Sequence, residues 1–128
     1  MINGAHFLLY SKDADADRAF LRDVLGMRAV DVGHGWLIFA LPPAEVAVHP
    51  GDGSFVQQHV DQKLMGAVLY FMCDDVKAEV HGLEKKGVNC TELMEAEWGI
   101  ATSFALPSGP HIGLYQPKHQ TAIAKSRT

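Results

Sequence analysis

Cysteine is scarce. Cys73 and Cys90 are the only two in 128 residues. Two thiols cannot build a disulfide framework, and their spacing suits neither a zinc knuckle nor a CxxC redox pair. They read as buried, reduced thiols of a cytoplasmic protein. Long hydrophobic runs are also missing; the longest are strand-sized, too short for a helix to cross a membrane. Met1-Ile2-Asn3-Gly4 has neither the charged nor the apolar region of a signal peptide. Positive charge is in deficit, with 11 Lys and Arg against 15 Asp and Glu, a net charge of -4. No basic stripe interleaves with aromatics, so nucleic acid is not an expected partner, and neither is a membrane.

What remains is an ordinary globular composition, 48% hydrophobic and 20% charged. It is enough for one domain over residues 1–128 with a real core. The chain also repeats itself. Phe39-Ala40-Leu41-Pro42 returns as Phe104-Ala105-Leu106-Pro107, an offset of 65. The apolar run from Ala5 to Asp13 has a counterpart from Ala67 to Asp75, at an offset of 62. Each run leads into a helix-like stretch that stops at a glycine, Gly26 or Gly87. A duplicated half-domain implies one core shared by two halves and a pocket between them.

The local pattern gives each half the same order. Residues 5–10 read as a buried strand, and Asp13 or Ser11 can cap the helix that follows. Ala16, Phe20 and Val24 recur at helical spacing, while Asp15, Asp17, Arg18, Arg22 and Asp23 take the other faces. Gly26 ends this helix. Strands are expected at about 27–32, 35–41 and 44–49, with turns at Gly33-His34-Gly35 and Pro42-Pro43. Residues 50–65 are a polar connector. The second half brings a strand at 66–73, a helix at 75–86 and strands near 88–94, 99–106 and 110–116. The polar tail, 118–128, is expected to fray.

Module one thus spans about 4–49 and module two about 66–117. Alternation selects the side chains that point into a shared concave face. From the opening strands these are His6, Leu8 and Tyr10, then Val68, Tyr70 and Met72. From the closing strands they are Glu45, Ala47 and His49, then His111, Gly113 and Tyr115. Trp98 reads equally as core packing or as a flat wall for a ligand.

Several segments together resemble the vicinal oxygen chelate superfamily, the glyoxalase/bleomycin resistance protein/dioxygenase group. They include His6 seven residues before Asp13, and Arg18-Ala19-Phe20-Leu21-Arg22-Asp23-Val24-Leu25-Gly26-Met27. They also include Asp74-Asp75-Val76, Trp98-Gly99, Phe104-Ala105-Leu106-Pro107-Ser108-Gly109 and Leu114-Tyr115-Gln116-Pro117. The resemblance covers nearly all of residues 4–117. It implies an α+β fold of two tandem βαβββ modules, in which a curved, cup-shaped mixed sheet carries helices on its outer face. A homodimer is implied as well.

Catalytic members of that family hold a divalent metal in the cup, with ligands from the first and last strand of each module. Here those positions carry His6, Ala47, Val68 and Gly113. Only His6 is a competent ligand, so no metal site and no cofactor are expected. Glu45 and His49 flank Ala47, and His111 and Tyr115 flank Gly113. The resemblance then implies a metal-free, small-molecule-sequestering protein whose aromatic-lined cup involves His6, Tyr10, His49, Tyr70, Trp98, His111 and Tyr115. Catalytic residues stay unassigned. The alternative is a metal-dependent lyase, isomerase or extradiol-type dioxygenase with a displaced ligand set of His6, Glu45 and His49. A metal-free enzyme using His6 or His49 as general base carries less weight, because neither has a carboxylate orienter visible in the sequence.

Overall fold

A computed structural model describes residues 4–50, 57–59, 62–64 and 67–123, with 57–59 and 62–64 described through backbone alone. The chain is a mixed α+β protein that divides into two compact units. One comprises Met1–Ala40 with Ala105–Pro110; the other comprises Leu41–Phe104 with His111–Thr128.

In the first unit, Asp13 caps helix α1 (Ala14–Ala19) by accepting the Ala16 N–H at 3.2 Å. The helix widens into a π-helical turn, Phe20–Val24, closed by Leu25 N–H donating to the Phe20 carbonyl. Gly26 then takes φ +70°, the left-handed conformation that ends a helix. Strands β1 (Ala29–Asp31) and β2 (Leu37–Phe39) form an antiparallel hairpin through Gly33-His34-Gly35. Asp17 departs from the helical-wheel expectation. It is buried, and its carboxylate accepts Ser108 N–H at 3.0 Å and Ser108 Oγ–H at 2.5 Å. Burial opposes the charge on Asp17. The hydrogen bonds from the Ser108 and Ser11 hydroxyls and the Ser108 amide outweigh it and hold its pKa below the usual aspartate value.

The expected strands at 5–10 and 44–49 are not formed. Phe7, Leu8, Leu9 and Tyr10 are exposed, as are Val46 (91%) and Val48 (96%). An apolar run reports a preference for burial, but a strand also needs a partner for its backbone groups. The connector carries its own antiparallel hairpin, β3 (Gln57–His59) with β4 (Gln62–Leu64). The rest of the connector after Pro50 lies outside the described residues, as do tail residues 124–128.

The second unit holds most of the core. Strand β5 (Tyr70–Met72) is followed by helix α2 (Val76–Lys85), β6 (Met94–Ala96), β7 (Gly99–Ala105) and β8 (His111–Pro117). They form one mixed sheet in the order β5-β8-β7-β6, parallel between β5 and β8 and antiparallel between β6 and β7. Asp75 caps α2 by accepting Ala78 N–H, and Gln116 Oε1 accepts the orphan Val76 N–H at 3.0 Å. Gln116 therefore faces the helix, and so do Leu114 and Ile112, two and four residues before it. Val76, Leu83, Phe104, Ile112 and Leu114 are all buried. The odd-numbered residues of β8 face the other way, and the candidate site is built there.

Candidate functional site

The parallel register sets Tyr70 opposite Gly113 and Met72 opposite Tyr115. All four share the sheet face turned away from α2, as alternation predicts for module two. The Tyr70 ring lies over Gly113. A methyl group built on Gly113 would fall inside the ring, meeting Cδ1, Cε1 and Cγ. Glycine is required here by close approach: the neighbouring aromatic fills the space a side chain would take. From sequence alone Gly113 is a ligand position without a side chain, which on its face would leave open space. Instead, Tyr70 occupies that volume.

Tyr70 and Tyr115 meet edge-to-face with centroids 5.5 Å apart, and Trp98 meets Tyr115 the same way at 5.8 Å. Trp98 reaches this position from the two-residue Glu97-Trp98 turn between β6 and β7. The turn is docked on the end of β8. Lys118 N–H donates to the Trp98 carbonyl at 2.9 Å, and Lys118 Nζ pairs with Glu95 at 2.5 Å. Gly99 sits against the Gln116 carbonyl and the Tyr115 ring too tightly for a side chain. Trp98 (41% exposed) and Tyr70 (44%) are therefore held in place yet open to solvent, as walls rather than core.

His119 and Glu45 complete the cluster. His119 Nδ1 lies 3.0 Å from the Gln120 carbonyl, so this nitrogen is the donor. In the neutral ring Nε2 is then an acceptor, and the Tyr115 hydroxyl donates to it across 3.2 Å. The His119 ring also lies tilted beside the Tyr115 ring, 6.1 Å away. Glu45 Oε2 stands 3.9 Å from His119 Nε2, while Oε1 accepts Ala122 N–H at 2.7 Å. Burial first, then the negative charge of Glu45 and the neighbouring Tyr70, push the Tyr115 phenol up from its usual pKa. The result is a neutral hydroxyl committed to donating.

Of the residues the sequence nominated, Tyr70, Trp98 and Tyr115 come together. His111 shares their face of β8 but lies at its far end, 3.0 Å from Ser103 Oγ. His49 is exposed and donates to the Pro50 carbonyl at 2.7 Å. His6 and Tyr10 are exposed residues of the first unit, on a segment that is not a strand. His119 belongs to the tail that was expected to fray, and Glu45 was placed on the concave face and weighed as a displaced metal ligand. The one sequence signal for His119 is its place four residues beyond Tyr115.

The described residues of this face do not supply a ligand set for the divalent metal that the resemblance raises. Among the described residues no group of three or more His, Cys, Asp or Glu could hold one. At position 113 the Tyr70 ring fills the space a ligand side chain would need. The described groups of this face are its rings, hydroxyls and imidazoles and the Glu45 carboxylate.

A strand, a helix and three strands, with rings gathered on the sheet face away from the helix, define an α+β protein of the glyoxalase fold. The Glyoxalase/Bleomycin resistance protein/Dioxygenase superfamily profile matches residues 4–111. The chain belongs to that superfamily. Among solved structures it is similar to TnmS3, an antibiotic binding protein from Streptomyces sp. CB03234. The two are 25% identical over 92% of this chain and 100% of that one, with a TM-score of 0.59. A glyoxalase/bleomycin resistance protein from the same Streptomyces is 26% identical over 83% of this chain and 93% of its own, with a TM-score of 0.54. Lactoylglutathione lyase from Agrobacterium tumefaciens shares the fold at 20% identity, over 89% and 92% of the two chains, with a TM-score of 0.58. No curated protein sequence matches the chain.

Proposed function

We propose that this protein binds and sequesters a flat, largely apolar small molecule without a metal, on the module-two face lined by Tyr70, Trp98 and Tyr115. The observation that carries this reading is the Tyr70 ring over Gly113. A position where the family commonly places a metal-binding glutamate carries no side chain, and an aromatic wall takes its space. Three rings held edge-to-face, two of them half-exposed, offer stacking surface without a nucleophile or an activated water. The likeness to an antibiotic binding protein at 25% identity supports the same reading.

The second part of the proposal is a homodimer in the cytoplasm. Val46 (91% exposed) and Val48 (96%) present apolar surface on a segment that forms no strand among the described residues, and a second copy would cover it. Light scattering on the eluted protein measures this directly, and a monomer at every concentration removes it.

Fluorescence tests the binding reading. The chain has two tryptophans, so Trp36→Phe leaves Trp98 as the sole reporter. Titration with an anthraquinone is expected to quench Trp98. Tyr115→Ala should weaken binding by about tenfold, the loss expected for one ring-ring contact of about 1.4 kcal/mol. Metal analysis of untagged protein is the counter-test. Stoichiometric metal that disappears in His6→Ala would establish the metal-dependent alternative and overturn this one.

A further inference from the structure

A second cluster reaches the aromatic face at Ser103 and His111 and takes no part in stacking. Thr91, Thr102, Ser103 and His111 are linked by hydrogen bonds between β7, β8 and the segment before β6. The polarity of the network follows from its fixed members. Thr102 Oγ1 donates to the Thr91 carbonyl at 2.6 Å, which commits its proton. Ser103 N–H donates to Thr91 Oγ1 at 2.9 Å, which occupies an acceptor site there. The Thr91 hydroxyl proton is left to donate onward, to Thr102 Oγ1 or to Ser103 Oγ, each 3.2 Å away. Ser103 Oγ lies 3.0 Å from His111 Nδ1. A chain running Thr91 O–H to Ser103 O–H to His111 Nδ1 satisfies every hydroxyl in turn. In that arrangement the His111 proton is on Nε2, and the imidazole is exposed.

Position along the strand separates this cluster from the rings. His111, Gly113 and Tyr115 alternate on one face of β8, and Ser103 joins that face by touching His111. At roughly 3.3 Å per residue, His111 stands about 13 Å from Tyr115. The face is therefore bipolar: stacking rings at one end, and at the other an N–H donor held in its tautomer by two hydroxyls.

We propose that Ser103 and His111 form a polar subsite that selects an elongated ligand. Such a ligand is a flat aromatic system bearing, at the far end of a spacer, a neutral oxygen acceptor such as an amide or ester carbonyl. His111 Nε2–H binds that oxygen, and Ser103 acts as the positioning residue that fixes the imidazole. This inference rests on the aromatic face being the binding face.

Two probes separate the two readings. One is bare anthraquinone; the other is the same ring carrying a terminal carboxamide on an arm long enough to reach from Trp98 to His111. Both are titrated against the Trp36→Phe protein. The armed probe should bind about five- to tenfold tighter, the gain expected for one net hydrogen bond. His111→Phe should abolish that gain, with circular dichroism checking that the variant is folded. Ser103→Ala should remove part of the gain. A persistent advantage of the armed probe in His111→Phe, or equal affinities in the parent, overturns the subsite and leaves the aromatic reading standing. Absence of quenching by either probe overturns both.

Discussion

Gly113→Ala is the sharpest perturbation the structure offers, because one methyl group tests the whole aromatic arrangement. The added carbon falls inside the Tyr70 ring, and because Cγ lies only 2.8 Å away the entire ring must swing out. Overpacking of this kind costs about 1–3 kcal/mol. Part of it is the lost edge-to-face contact with Tyr115, typically about 0.5–1.5 kcal/mol. With Tyr70→Ala in place the obstacle is gone. Alanine then gains about 0.5–1 kcal/mol over glycine in an extended strand. The effect of the same substitution changes sign, and the coupling between the two sites is about 1.5–4 kcal/mol. Urea unfolding of the parent, both single variants and the double variant measures it. Equal effects of Gly113→Ala in both backgrounds would refute the claim that the ring fills the glycine's place. Anthraquinone binding should fall in Gly113→Ala as well, since the displaced ring is one of its walls.

Other predictions concern the two units separately. Asp17→Ala strands a buried amide and a buried hydroxyl on Ser108 and should cost about 3–5 kcal/mol, with most of it shared with Ser108→Ala in a double-mutant cycle. The folded pKa of Asp17 is depressed, so its stabilisation is complete above the unfolded value of 3.8 and is lost as pH falls through the folded value. Asp17→Asn should flatten the acid limb of the melting-temperature profile, and an unchanged limb would count against the buried staple. Burial, aided by Glu79, pushes the Cys73 thiol up to about 11. Alkylation of Cys73 at pH 8 should therefore run about 100-fold slower than in unfolded protein, the ratio of the thiolate fractions. The exposed Lys118–Glu95 pair should matter little to global stability, about 0–1 kcal/mol on Glu95→Gln, measured by thermal melting.

The second half of the chain was legible because its signals agree. The Val76, Val80 and Leu83 stripe, the Gly87 stop and the alternation through β7 and β8 all point one way, and the structure places α2, β7 and β8 within a residue or two of expectation. The same alternation put Tyr70, Gly113 and Tyr115 on one face. The first half misled for a physical reason. Residues 5–10 and 44–49 are as apolar as real strands, but hydrophobicity states what a segment would bury and not which edge will receive its hydrogen bonds. Asp17 looked like one more acid on a charged helix face, since its partner Ser108 lies 91 residues away and leaves no local trace. At Gly113 a sequence shows the missing side chain and not the ring that takes its place. His119 stands beyond the last strand in a polar tail, where nothing but the fold reveals that Tyr115 donates to it.

The Asp17–Ser108 staple also has a temporal meaning. Helix α1 leaves the ribosome well before the turn that satisfies Asp17, which is synthesised 91 residues later. A helix of six residues is too short to hold itself in water. The first unit is therefore opened before the second and completed only when Ala105–Pro110 is made. The Asp17 carboxylate waits through those 91 residues and gains its partner only when the Ser108 turn arrives. A circular permutant opened within the 50–65 connector brings the two partners to within one continuous stretch of synthesis.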